Sequence, residues 1–213
     1  MSEKETGRVE AFSDGVFAVA ITLLALDIHV PRLDALPPNG LGPALLALWP
    51  SLLAYVTSFA TILITWINHD RLFEQIRRKD HLLLVYNGML LMVITLLPFP
   101  TALLAEYLAH PGANAKIAAA VYSAFSFVMA VFFNLLWRYA AGEGRLLSDD
   151  HDRGKVKRIT EQYRFGPLLY LVAFGLAFAS APASILVDML LAIFFALPPK
   201  PMQETPQDNP QLS

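Results

Sequence analysis

The chain has 213 residues, 55% of them hydrophobic and only 16% charged, with a mean hydropathy of +0.48, a formal net charge of −2 and no cysteine. Soluble domains carry about a quarter charged residues; here the apolar residues form blocks of up to about 20, which excludes a soluble globule, a disordered chain and a fibre and indicates an all-α membrane protein. The near-neutral balance argues against a nucleic-acid partner, and without cysteine there is no disulfide, thiolate metal site, iron–sulfur cluster or thiol nucleophile.

Six spans are predicted. The first, 11–30, ends at Pro31 and at 1.5 Å per residue can cross about 30 Å of hydrocarbon. A cleaved signal peptide fits it less well, because Glu3, Glu5 and Glu10 spoil a basic leader and no small-x-small site follows. Arg32 to Pro43 is rich in Pro and Gly and reads as a loop. The second span, 44–68, begins near Trp49, an interface anchor, and runs into the charged stretch His69 to His81. The third, 82–97, breaks at Pro98-Phe99-Pro100, with a short interfacial helix continuing to His110. The fourth, 116–139, closes on Trp137-Arg138-Tyr139 and leads into a basic linker, Gly142 to Arg164. The fifth and sixth, 165–180 and 182–197, meet at Ser180-Ala181-Pro182 in a tight hairpin. Residues 1–198 thus read as one six-helix unit, and 199–213 as a polar, Pro/Gln-rich cytoplasmic tail expected to be disordered.

An even number of spans puts both termini on one side. Fourteen of the 16 Lys and Arg residues fall on that side, against Arg32 and Lys116 on the other, so the positive-inside rule predicts cytoplasmic termini for a multi-pass protein of the inner (plasma) membrane. The basic linker is too short for a core of its own, and anionic lipid headgroups are the expected partner for its charges.

Polar groups inside a span are costly and count as functional candidates. Asp14 lies one turn into the first helix, where it can act as an N-terminal acid or as a buried partner for Arg8 or for a histidine of another helix. Trp66, Asn68 and His69 close the second span at the depth of Ser13 and Asp14, so interface anchoring and an interhelical hydrogen-bonded cluster are both open. Asp188 reads as a packing hydrogen bond or as a proton or ion relay. Asp70, Arg71 and Arg77-Arg78-Lys79 read as a solvated basic edge.

Enzyme signatures are missing: there is no G-x-S-x-G elbow, no H-E-x-x-H and no phosphate loop. His69 and His81 are too isolated for a metal site, and neither a repeated-half transporter pattern nor a T-V-G-Y-G filter is present. The expectation is no enzyme, no metal and no cofactor. Composition and motifs alone stop at a six-helix membrane protein.

The stretch from Arg8 through Phe12-Ser13-Asp14-Gly15 to Leu24 resembles the helix 1 signature of the endolysosomal potassium channel family (transmembrane protein 175), in its single-repeat bacterial form. Arg8, Phe12, Ser13 and Asp14 match the family pattern R-x-x-x-F-S-D-x-x-x-S, whose last serine is Ala18 here. Trp66-Ile67-Asn68-His69 with Leu72-Phe73, Asn87, and Leu97-Pro98-Phe99-Pro100-Thr101 extend the likeness. The resemblance implies a homotetramer in which the first helices surround a pore for potassium ions. It implies a constriction at Val19, Leu23 and Leu26 with Thr22 as a polar layer beside them, and a network of Arg8, Phe12, Ser13, Asp14 and His69 at the cytoplasmic end of helix 1.

At 100° per residue Val19, Leu23, Leu26 and Val30 share one stripe, and Asp14, Ala18 and Ala25 another. Both suit lipid or protein contact, so periodicity leaves open which faces the pore. Two function classes follow. One is a potassium-permeable channel whose apolar rings make a hydrated cation shed water. The other is a small secondary transporter or proton-coupled carrier using Asp14 or Asp188.

Overall fold

The computed structural model describes residues 6–32, 34, 37–110, 112–142, 146–148 and 151–197; the expected cytoplasmic tail, 199–213, lies outside them. Nine α-helices are found among the described residues: α1 (Gly7–Leu23), α2 (Leu41–Ala47), α3 (Trp49–Phe73), α4 (His81–Leu96), α5 (Pro98–Tyr107), α6 (Ala113–Ala141), α7 (Arg153–Tyr163), α8 (Gly166–Ala177) and α9 (Ala181–Ala196). Four helical stretches are long and apolar enough to cross a membrane: Gly7–Asp27, Trp49–Phe73, His81–Tyr107 and Ala113–Ala141. The chain is therefore an all-helical membrane protein. α8 and α9, with 12 and 16 residues, fall short of the roughly 20 needed for a span, and tilt would need more.

Besides α3, which begins at Trp49 and runs on through His69 to Phe73 instead of covering 44–68, the helices depart from the expected boundaries in three places. The break at Pro98 does not end the third span, because only Leu97 separates α4 from α5 and it keeps helical dihedrals. Pro98 sits at the start of α5, where a missing N–H costs little, and Thr101 N still reaches the Leu97 carbonyl at 3.2 Å. The first helix stops short of Val30: α1 tightens into a 3₁₀ turn over Leu24–Asp27, and Ile28 is extended. Pro31 disfavours helical geometry in the residue before it, so Val30 leaves the stripe it was expected to share.

The third departure is in the basic linker, which is folded rather than open. Asp152 caps α7 by accepting from the amides of Gly154 (2.7 Å) and Lys155 (3.2 Å), which hold its carboxyl below the usual carboxylate range. Ile159 and Tyr163 are buried under α6, where Trp137 Nε1 donates to Thr160 Oγ1 (2.9 Å) and Asn134 Nδ2 to the Tyr163 carbonyl (2.7 Å). Burial pushes the Tyr163 phenol up to about 12, although the nearby Arg71 guanidinium pulls the other way. Leu146 and Leu147 pack beside Ile76, and the amides of Arg77 and Arg78 donate to the Leu146 carbonyl. Three of the α7 charges that read as lipid-facing are paired at the surface: Lys155 with Glu74, Lys157 with Glu161 and Arg158 with Asp152.

α6 is the central element, carrying α4 and α5 along one flank and the α8–α9 hairpin along another. α3 packs on α5 and α9, while α1 sits at the edge against α3 and α4. The larger core gathers Phe17, Leu24, Ile62, Phe73, Leu90, Leu136 and Trp137. A second core, around Ala54, Ala119, Tyr122, Ala177 and Ile185, is rich in alanine, which lets the backbones of neighbouring helices approach closely.

Candidate functional site

α1 is the least covered of the long helices: 22% of its apolar window is buried within the chain, against 39%, 39% and 50% for the other three. Its packed stripe is Ser13, Phe17, Ala20 and Leu24, at spacings i, i+4, i+7 and i+11. On the opposite side Val19 is 55%, Leu23 40% and Leu26 71% exposed, and Ala11, Gly15, Ala18, Thr22 and Ala25 are exposed with them. Both stripes distinguished in the sequence thus lie outside the chain's own core, and a third makes the packing. Thr22 donates its hydroxyl back to the Val19 carbonyl at 2.8 Å, leaving its oxygen lone pairs available on the exposed side.

The motif residues are positioned by three helices. Asn87, from α4, donates through Nδ2 to Ser13 Oγ (3.0 Å), and the Ser13 hydroxyl donates to the Val9 carbonyl (2.8 Å). The other end of the same amide, Oδ1, accepts from His69 Nε2 of α3 at 2.8 Å, so Nε2 is the nitrogen that carries a hydrogen. Aromatic contacts fix the imidazole, which stacks on Phe73 at 4.4 Å and meets the edge of Phe17 at 5.4 Å. Beside this buried chain, Trp66 Nε1 donates to Asp14 Oδ1 at 2.8 Å. Two hydrogen-bonded links therefore tie the same turn of α1 to α3 and α4.

Of the expected network, Ser13, Asp14 and His69 come together, through Asn87 and Trp66. Arg8 and Phe12 do not join them. Both are exposed and line a groove between α1 and α4 with Lys79 and Leu84. The indole of Trp66, and not Arg8, meets the Asp14 carboxylate. Asn87 is the residue to which the sequence reading gave no role, although an amide in an otherwise apolar stretch is itself a signal. Among the described residues no group of three or more His, Asp or Glu side chains could hold a metal.

The model of the family described as the endosomal/lysosomal potassium channel TMEM175 matches residues 8–98, the segment from α1 to the start of α5. A potassium channel of Chamaesiphon minutus is 55% identical over 195 residues, covering 92% of this chain and 95% of the relative. A potassium channel of Streptomyces collinus is 46% identical over 191 residues, covering 90% and 91%. The crystal structure of a lysosomal potassium-selective channel TMEM175 homolog from Chamaesiphon minutus superposes with a TM-score of 0.82 at 53% identity, over 91% of this chain and 97% of that one. Similarity of this extent, running well past the helix 1 motif into α9, leaves one conclusion: the chain belongs to the TMEM175 family of ion channels.

Proposed function

We propose that the chain is one subunit of a homotetrameric potassium channel, with α1 of each copy facing a common axis. The observation that carries this reading is the uncovered side of α1. Lipid is a poor solvent for the exposed Asp14 and Thr22, whereas small residues such as Gly15 and Ala18 suit a neighbouring helix and branched apolar residues suit a narrow pore. Relatives of nearly the same length are named potassium channels, which supports the choice of ion.

In this reading Val19, Leu23 and Leu26 form successive apolar rings, with Thr22 as a polar layer between them. A hydrated cation must shed water to pass each ring. Potassium gives up its water more readily than sodium, so the barrier favours potassium without a carbonyl filter. Fourfold closure repeats each side chain around the axis, so no face of α1 is left to lipid. The Asn87 and Trp66 links hold the end of α1 in register and coordinate no ion. α8 and α9 complete six spans as a hairpin against α6, the bilayer thinning locally to match their short length. Both termini and α7 then face the cytoplasm, the chain sits in the plasma membrane, and Arg153 of α7, with Arg164 just beyond its end, meets anionic headgroups.

Flux from vesicles containing the purified protein tests this. A channel passes potassium down a potassium gradient alone, with a reversal potential near potassium equilibrium. Dependence on a second gradient would instead make the protein a coupled carrier. Four copies per particle, from a detergent-corrected mass, are required; any other number removes the pore.

A further inference from the structure

A buried hydrogen-bonded chain runs across α6, α8 and α9, on the side of the bundle away from α1. Asp188, only 1% exposed, meets Ser123 Oγ through Oδ2 at 2.5 Å. Ser123 Oγ meets Ser184 Oγ at 2.9 Å, and Ser184 Oγ meets the Ala173 carbonyl at 2.8 Å. Each of these three oxygen–oxygen contacts needs one hydrogen. The carbonyl can only accept, so the Ser184 hydrogen goes to Ala173. The Ser123 hydrogen then goes to Ser184, because Ser184 has no second one to give. No hydroxyl hydrogen is left for the contact between Ser123 and Asp188, so the carboxyl must supply it. Two hydroxyls cannot serve three contacts.

The surroundings agree with an uncharged acid. The titratable groups facing Asp188 are the phenols of Tyr122 on α6 and Tyr170 on α8, and α3 contributes hydroxyls such as Thr57 and Thr61. No cationic side chain reaches it among the described residues. Asp188 Oδ1 is buried without a partner, which costs far more for an ionised carboxylate than for the neutral acid. A cavity of about 50 Å³ begins one turn along α9 at Ala192; its walls are mainly apolar, with Thr61, Asn68, Asn134 and Tyr170 as the polar groups among them. That is room for more than one water molecule, enough to accept or return a proton.

We propose that Asp188 is a proton-binding site, held as the neutral acid, whose hydrogen completes the chain that clasps the α8–α9 hairpin to α6. When the proton leaves to water in the cavity, the clasp loses one of its three bonds and an unpaired charge remains inside the bundle. Proton loss therefore loosens the packing of the hairpin, independently of any ion on the α1 side.

The test uses the full chain in lipid vesicles at neutral pH. Infrared difference spectra should contain a carboxylic-acid carbonyl band, sensitive to deuterium, that is absent from Asp188→Asn. Ser123→Ala, which removes the acceptor of that hydrogen, should shift the band to higher frequency. Asn can donate in the place of the acid, so Asp188→Asn should keep wild-type thermal stability at neutral pH, and Asp188→Ala should lose it. On going from about pH 6 to about pH 9 the wild type should lose several degrees of melting temperature that Asp188→Asn keeps, because the folded state holds a proton that the unfolded chain has already released, and this advantage shrinks as the pH rises. Three results overturn the proposal. One is a wild-type spectrum indistinguishable from that of Asp188→Asn. Another is destabilisation by Asn as large as by Ala. The last is stabilisation of the wild type by potassium or sodium that Asp188→Asn abolishes, which would make the cluster a cation site holding a carboxylate.

Discussion

Replacing Asn87 by leucine is the sharpest perturbation of the link between α1 and the rest of the bundle. The side chains are close in volume, so little packing is lost, but both ends of the amide disappear. His69 Nε2–H is left without an acceptor at a site where the residue is 2% exposed, and Ser13, fully buried, loses the donor to its oxygen. An unsatisfied buried polar group costs about 1–3 kcal/mol. The His69 N–H takes the upper part of that range, while Ser13 keeps its own bond to the Val9 carbonyl and takes the lower. Extra apolar burial by leucine returns about 1 kcal/mol. The net cost is about 3 kcal/mol, or about 6–12 °C in melting temperature for a chain of this size. Ser13→Ala alone should cost about 1 kcal/mol, and in the double variant most of that should vanish, because the partner is already gone. Reversible unfolding in detergent, run on wild type, the two single variants and the double, measures all four corners. If Asn87→Leu lies within about 0.5 kcal/mol of wild type, or the two substitutions add, the amide is not the bridge described here.

Leu23→Ser should raise conductance and reduce discrimination between potassium and sodium in bilayer recordings, because one substitution wets a whole ring. Leu24→Ser should leave permeation alone and cost about 3 kcal/mol or more, since Leu24 is fully buried in the core and its replacement leaves a cavity lined by apolar atoms; the reverse pattern would put the pore on another face of α1. Asp14→Ala should cost only about 1 kcal/mol, the loss of the bond from Trp66, and Trp66→Phe should match it; a loss of several kcal/mol would mean that Asp14 has a partner from a neighbouring subunit. The Asp152 cap has a lowered folded-state pKa, so its contribution is complete above the unfolded value of about 3.9 and is lost as pH falls through the folded one. An acid protease should accordingly cut the α7 region more readily on acidification below about pH 4, and unchanged cleavage would remove the role of the cap. Cysteines placed at Pro38 and Glu161, both exposed, should be labelled from opposite sides of the membrane, and labelling from one side would rule out the six-span topology.

The sequence by itself determined that the chain crosses membranes, where its long helices lie, and that the segment around Phe12-Ser13-Asp14 is the one to watch. Those properties are local: they follow from blocks of apolar residues, from prolines and charges at their ends, and from a contiguous motif. It could not determine which side of α1 packs. In a soluble helix the polar face marks the outside, but in a membrane helix lipid, protein and pore can all be met by apolar side chains, so hydropathy carries no direction. Only the tertiary structure decided it, by seating Ser13, Phe17, Ala20 and Leu24 against α3 and α4 and leaving Val19, Leu23 and Leu26 uncovered. The same holds for the polar groups. His69 and Asp188 stood out as costly residues, and Asn87 only as part of the family likeness, but a hydrogen bond between helices has no signature in residue spacing, because Ser13 and Asn87 are 74 positions apart and Ser123 and Asp188 are 65. Their partners exist only once the helices are placed side by side.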